Sequence, residues 1–321
     1  MSGSPFDLLV SAALMVDSPD ETVAELHTRI GLPLPDRSWK QDWPGWGYCA
    51  WWCRLQPSLR AAPTRLEVNG KRTIRSADRR SGVTSFMAEM AGEQEARPLK
   101  THANVVGAWD LKALEGRLER AGVERYVDPP SPELPYPRTW IGRRGRQDRI
   151  GYRGEADAGL RLEILPLTEI GLPAERLAPA APAPDLGAAA IARITRRQML
   201  TDHLEGALAR LERDLGWSAE IDDSGPDRRA ALRFTHPLSA SIELIEPRAE
   251  GPRRELIERH GPGPHRIVLG VADLDAKAED LRRRATPFVR ERAGIGEERL
   301  VVRAPGCAAL FEFEKVGSDG R

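Results

Sequence analysis

Cysteine is scarce in this chain. Three cysteines among 321 residues cannot supply a disulfide framework, and such sparse, odd usage points to a reducing cytoplasm. Surplus charge is lacking as well: 48 Lys and Arg offset 48 Asp and Glu, which argues against a protein that grips phosphate backbones. No apolar run approaches the roughly 18 residues that a membrane-spanning helix requires. The opening residues 1–6 carry no basic stretch, so no signal peptide is expected. A glycine-rich phosphate loop, a nucleophile elbow and a His-Glu-x-x-His helix are all missing. What remains is a globular composition, 40 % hydrophobic, in a chain long enough for two domains of about 150 residues each.

A Pro- and Ala-rich stretch, 173–190, reads as a semi-rigid linker between two halves. The flexible-looking segment 70–100 and the Pro- and Gly-containing segment 248–264 divide each half again. Four units result, and each reads β-α-β-β-β. In the first, Ser18-Pro19-Asp20-Glu21 is a capping box, followed by Val23, Leu26 and Ile30 at helical spacing and by Gly31 as the stop. In the second, Asp110 precedes Leu111, Leu114 and Leu118, with a stop at Gly122. In the third, Asp202 and Glu205 open a helix carrying Leu204, Leu208 and Leu211, closed by Gly216. In the fourth, Asp273 opens Leu274, Ala278 and Leu281, and Thr286-Pro287 ends it.

The closing strands match too. They read RLEV at 65–68, RLEI at 161–164, SIEL at 241–244 and LFEF at 310–313. The same interval of 61 residues separates Phe6 from Glu67 and His102 from Glu163. An interval of 27 separates Gly216 from Glu243 and Ala285 from Glu312. Repetition at this level is the strongest signal in the sequence and comes before any argument about a site.

The run PHRIVLGVADLDA at 264–276 and the run PGCAALFEF at 305–313 resemble the first and last strands of the vicinal oxygen chelate superfamily, which includes glyoxalase I, methylmalonyl-CoA epimerase, extradiol dioxygenases and bleomycin-resistance proteins. The resemblance is closest over the last 130 residues. It implies an α+β fold of four βαβββ modules paired into two glyoxalase-like domains with cupped mixed sheets. The first domain is placed at 1–166 (modules 6–70 and 100–166), the linker at 167–187 and the second domain at 188–316 (modules 190–247 and 264–316).

In that superfamily, His and Glu of the first and last strands converge on one divalent ion. Carried over residue by residue, the resemblance implies metal ligands Glu67, His102 and Glu163 in the first domain, and Glu243, His265 and Glu312 in the second. Glu163 and Glu312 are the implied catalytic carboxylates. The first-module ligand is missing in both domains: there is no His at 7–9, and Arg193 stands where a His is usual. The family's ligand precedes the helix-opening Asp by seven residues, whereas His102 and His265 precede theirs by eight. Because strand side chains alternate, the strict register selects Ala103 and Arg266 instead. Arg193 and Arg266 are then expected to face Glu243 and Glu312, as guanidinium–carboxylate pairs in place of a metal. One divalent ion (zinc, iron, nickel or manganese) and none at all both remain open, and the four glutamates also read simply as strand residues paired with arginine.

Trp43, Trp46, Trp51 and Trp52 crowd one region with Tyr48. Alternation places Tyr48, Ala50, Trp52 and Arg54 on one face, and Cys49, Trp51, Cys53 and Leu55 on the other. Trp52 is a candidate wall for a flat ligand; the same residues also read as core. Cys49 and Cys53 would lie about 13 Å apart on a strand, beyond disulfide reach. Arg143, Arg144, Arg146, Arg149 and Arg153 with Tyr152 read either as an anion-holding rim or as a solvated loop. His27, His203 and His236 read as surface or capping residues. Two functions follow. One is a vicinal-oxygen-chelate-type enzyme (lyase, isomerase or dioxygenase) acting on a small oxygenated metabolite, with Trp52, Arg193 and Arg266 binding substrate. The other is a metal-free protein that sequesters a small molecule, as bleomycin-resistance proteins do. Either would be a monomer or homodimer with a small-molecule ligand and neither nucleic acid nor membrane as partner.

Overall fold

Period-two and period-3.6 patterns alternate along the chain, and each becomes the element that it specifies. The computed structural model describes residues 4–43, 48–71, 98–123, 125–130, 134–141, 160–170, 172, 179–183, 186–294 and 297–317. The arginines at 143–153 with Tyr152, Trp46, most of segment 70–100 and part of the Pro/Ala-rich stretch lie outside these residues. The first half contains β1 (Leu8–Val16), α1 (Pro19–Ile30), β2 (Lys40–Trp43), β3 (Tyr48–Cys53) and β4 (Arg65–Lys71). It continues with β5 (Asn104–Ala108), α2 (Leu111–Arg120), β6 (Arg125–Asp128), β7 (Arg138–Ile141) and β8 (Leu162–Pro166). The second half contains β9 (Ile191–Leu200), α3 (Leu204–Leu215), β10 (Ile221–Asp222), β11 (Asp227–Leu232) and β12 (Ser241–Pro247). Then come α4 (Pro252–His260), β13 (Gly263–Val271), α5 (Leu274–Arg283), β14 (Phe288–Gly294), β15 (Glu297–Val302) and β16 (Phe311–Lys315).

Two eight-stranded mixed sheets result, in the orders β2-β3-β4-β1-β5-β8-β7-β6 and β10-β11-β12-β9-β13-β16-β15-β14. Within each module the first and last strands pair in parallel, as a helical crossover permits. The two modules of each sheet join through their first strands, β1 with β5 and β9 with β13, antiparallel. This is the α+β, four-module architecture with cupped sheets. Glu67, Glu163, Glu243 and Glu312 occupy β4, β8, β12 and β16, the equivalent last strands.

Helices α1, α2, α3 and α5 pack on one face of the sheets. Val23, Leu26 and Ile30 of α1, Leu114 and Leu118 of α2, Leu208 and Leu211 of α3, and Ala278 and Leu281 of α5 share one buried cluster with Leu66, Val68, Ile164, Leu244 and Phe313. The glutamates, one residue out of step with these, face the other way, into the cups. Helix ends follow the sequence at Gly31 and Gly216, both left-handed C-caps, and at Asp273, whose carboxylate accepts from Asp275 N and Ala276 N. Two details differ. Ser18 is the N-cap of α1 without a side-chain bond, and His203 rather than Asp202 is the N-cap of α3. Segment 248–264, read as a divider, contains α4. Only Ile257 of this helix is buried among charged neighbours, so its apolar periodicity is too weak to reveal it.

The halves share that core and also exchange polar contacts. Phe6 meets Trp217 edge-on at 5.0 Å, and Trp217 meets Phe234 at 5.3 Å. Residues of the second half satisfy the free carbonyls at the end of α1. Lys277 Nζ donates to Ile30 O at 2.7 Å, Arg284 Nη1 to His27 O at 2.9 Å and Thr286 Oγ1 to Arg29 O at 2.8 Å. Lys277 is 1 % exposed and also pairs with Asp280 at 3.0 Å. Lys277→Ala should therefore cost about 1–3 kcal/mol, the penalty for a buried carbonyl left without a donor. Urea unfolding checks this, and a midpoint equal to that of the wild type would show that Ile30 O is solvated instead.

Candidate functional site

In the first sheet, the last-strand glutamates flank a histidine. His102 sits in the bend just before β5, where strand alternation does not govern it. Arg161, two residues before Glu163, holds its carbonyl through Nη1 at 3.1 Å. That anchor turns the imidazole, and not the Ala103 side of the chain, toward the carboxylates. His102 Nε2 lies 3.0 Å from Glu163 Oε2 and 3.8 Å from Glu67 Oε1. Asn69 Nδ2 donates to Glu67 Oε1 at 2.7 Å and lies 3.1 Å from His102 Nδ1, which leaves Nε2 to carry the proton toward Glu163. Ser11 Oγ donates to Glu67 Oε2 at 2.7 Å. Arg138 bridges Glu163 Oε1 at 3.1 Å and Asp128 at 2.8 Å.

The three implied ligands of this sheet are nearly inaccessible: Glu67 is 3 %, His102 4 % and Glu163 6 % exposed. Burial opposes a charge on His102, yet Glu67 and Glu163 outweigh it and raise its pKa. Burial likewise opposes ionisation of Glu163, but His102 and Arg138 hold it below the ordinary carboxylate range. A raised histidine contributes stability that is fully present below its unfolded value of about 6.5 and is lost as pH rises through the folded value. As pH rises from about 6.5 through the folded value, the wild type should therefore lose stability more steeply than His102→Gln. Parallel curves in thermal unfolding would refute the pairing.

Trp52, beside Glu67 in the register, continues this face. Its ring lies under Arg65 at 4.4 Å and packs with Ala50, Leu134 and Tyr136. Trp51 and Cys53 face the helices, as alternation requires, and no disulfide joins Cys49 to Cys53.

The second cup is filled differently. Glu243 Oε1 accepts from Arg196 at 3.0 Å and Oε2 from Gln198 at 3.0 Å. Glu312 Oε1 accepts from Arg266 at 2.8 Å, and its Oε2 from Gln198 and Arg299, each at 3.3 Å. Arg229 Nη1 stands 3.3 Å from Glu243 Oε1. Burial opposes ionisation of Glu243, but Arg196, Arg299 and Arg229 hold its pKa low. Arg266 thus meets Glu312 as the strict register predicts. The expected partner Arg193 is replaced by Arg196. In the pairing of β9 with β13, Val268 stands opposite Arg196 and Leu269 opposite Ile194; Thr195 is skipped, the alternation restarts, and Arg196 comes level with the glutamates. His265 is not brought to either glutamate: its register shifts between Pro264 and Ile267, and its hydrogen-bond contact is Arg253 Nε at 3.4 Å.

The donor chemistry, a His and two Glu, would suit a divalent ion, but the hydrogen bonding does not. Both oxygens of all four glutamates already accept from protein donors or face His102. Among the described residues, no group of three or more His, Cys, Asp or Glu is arranged to hold a metal. Sequence reasoning missed Ser11, Asn69, Arg138, Arg196, Gln198, Arg229 and Arg299. Only Asn69, Arg196 and Gln198 carried a signal, lying two residues from, or level with, a glutamate on its own face.

His27, His203 and His236 have structural places. His27 Nδ1 lies 2.8 Å from Leu32 O beyond the helix end, His203 is an N-cap, and buried His236 accepts from Leu238 N at 3.1 Å. Among the described residues, no helix is long and apolar enough to cross a membrane.

Residues 198–301 match the family model described as Glyoxalase/Bleomycin resistance protein/Dioxygenase superfamily. Among solved structures, a triple mutant of 4-hydroxymandelate synthase from Streptomyces coelicolor is similar over 98 % of this chain and 96 % of that one, at 15 % identity and a TM-score of 0.57. Methylmalonyl-CoA epimerase from Mycobacterium tuberculosis is 22 % identical over 41 % of this chain and 93 % of its own, with a TM-score of 0.36. No curated protein matches the sequence. Residues 198–301 are accordingly similar to that superfamily, and the whole chain shares the fold of the 4-hydroxymandelate synthase structure.

Proposed function

We propose that the chain is an acid–base enzyme of the vicinal oxygen chelate type, an isomerase or lyase in reaction class, with its site in the first cup. The observation that carries this reading is His102, buried between Glu163 and Glu67 at 3.0 and 3.8 Å. Glu163, ionised, takes a proton from carbon next to a carbonyl of a small oxygenated substrate. His102, held as the imidazolium by Glu67 and Glu163, delivers its Nε2 proton to the carbonyl oxygen and is left neutral, so that an enol forms without a free enolate. Return of the proton to carbon, or loss of a group from the neighbouring carbon, completes an isomerisation or an elimination. Glu67, tied to Ser11 and Asn69, sets the charge around His102. Arg138 and Arg65 supply charge for substrate oxygens, and Trp52 with Tyr136 supplies a flat wall. Glu243 and Glu312 are given a structural part, because arginines and Gln198 hold them and His265 turns to Arg253 instead of meeting either. No step is routed through a metal.

Trp52 under Arg65 also favours a second reading, the sequestration of an aromatic molecule without turnover. One experiment separates the two. The protein, treated with chelator, is incubated in deuterium oxide with a panel of 2-oxo acids and 2-hydroxy ketones, and exchange at carbon is followed by proton NMR. Exchange above the spontaneous rate that disappears in Glu163→Gln supports the enzyme. No exchange with any panel member, together with quenching of tryptophan fluorescence by an aromatic ligand, supports sequestration. Exchange that returns only with added metal overturns the metal-free chemistry.

A further inference from the structure

Guanidinium groups gather at one end of the second cup, away from the first-sheet site. His265 of β13 is 8 % exposed, and Arg253 Nε reaches its Nε2, which leaves Nδ1 to carry the proton. Arg253 belongs to the first turn of α4, whose N-cap, Gly251, supplies no side-chain bond. Its Nη1 donates to Asp227 at 2.7 Å, and the same Asp227 oxygen accepts from Arg229 at 3.1 Å. Arg229 is 8 % exposed, and its Nε has no hydrogen-bond partner among the described residues. Arg266, adjacent in sequence, is engaged by Glu312.

The charges facing His265 come from four elements. They are Arg197 of β9, Arg229 of β11, Arg253 of α4 and Arg266 of β13. The carboxylates at this end are Asp227, already shared by two arginines, Glu243, 3.3 Å from Arg229, and Glu312. Burial lowers the pKa of Arg266 against the pull of Glu312, and Arg303 and Arg253 add to the lowering. Cations crowded in a half-buried place are stabilised by an anion, and a guanidinium presents the fork that an oxyanion fits.

We infer that this end of the second cup binds a small oxyanion, a carboxylate or phosphate group, between Arg253, Arg266 and the Nδ1–H of His265, with Arg229 behind. The free N–H groups at the start of α4 lie on the Arg253 side and favour the same charge. The inference is independent of the chemistry proposed for His102.

The test titrates the full chain with inorganic phosphate and, in parallel, with acetate, each against chloride at equal ionic strength. Thermal unfolding and the ring-proton signal of His265 at fixed pH are read. The chain has six histidines, and His265→Asn identifies the signal. At least one anion should raise the melting temperature beyond chloride and move the His265 signal. Arg253→Gln and Arg266→Gln should weaken that anion at least about tenfold. The anion that binds more tightly identifies the group. An unmoved His265 signal in the wild type with both anions overturns the site, and so does undiminished binding in both folded variants. The wild-type measurement decides if a variant fails to fold.

Discussion

Replacing Arg299 with alanine is expected to destabilise the second domain by about 3–5 kcal/mol, the usual effect of removing one partner from a buried ion pair. Arg299 is 2 % exposed and stands among four carboxylates. It lies 3.3 Å from Glu312, 3.7 Å from Glu243, 3.6 Å from Glu314 and 3.6 Å from Glu297. Without it, Glu243 and Glu312 keep their charge and their burial but lose a shared cation. Arg299→Lys should recover only part of the loss, because one ammonium cannot serve several carboxylates as a planar fork does. The pH dependence has a definite sign. Glu243 has a lowered folded pKa, so its contribution is present above the ordinary value of 4.5 and is lost as pH falls through the folded value. The gap between wild type and Arg299→Ala, measured by urea unfolding, should therefore narrow in acid. A variant within about 0.5 kcal/mol of wild type at neutral pH would mean that Arg299 behaves as a surface residue and that the lattice does not bind the cup together.

His102→Gln is expected to lower turnover by about 10²–10⁴-fold, the range for loss of a positioned general acid or base. The amide keeps a donor near Glu163 but cannot exchange a proton. Glu163→Gln should fall in the same range. The double variant should cost little more than either single one, because the two residues act as a unit. Trp52→Ala should act mainly on KM, as expected of a wall that touches the substrate without moving protons. The measurement is the exchange rate of the responsive panel member. If His102→Gln retains full kcat, the buried pair is structural and the reaction lies elsewhere.

Much of the fold was legible. The capping and stop signals around each helix, and the Glu in each closing strand, repeated four times, are local features. They survive in the structure because each module must bury its helix on its own sheet. The candidate site was legible only in part. Glu67, His102 and Glu163 meet in the first cup, whereas His265 leaves the glutamates of the second. His102 and His265 occupy matching places in the repeat, so nothing local distinguishes them. The difference comes from Arg161 anchoring one and from a shifted strand register turning the other toward Arg253.

The sequence by itself determined the modules, the helix-facing positions and the strands on which the four glutamates stand, since these depend on periodicities read within a few residues. The tertiary structure decided which partner each glutamate meets. A skipped Thr195 replaces Arg193 with Arg196, and β11 and β15 bring Arg229 and Arg299 from other parts of the chain. Such choices turn on cross-strand pairing, where a shift of one residue sends a side chain to the opposite face, and no short-range pattern records that shift.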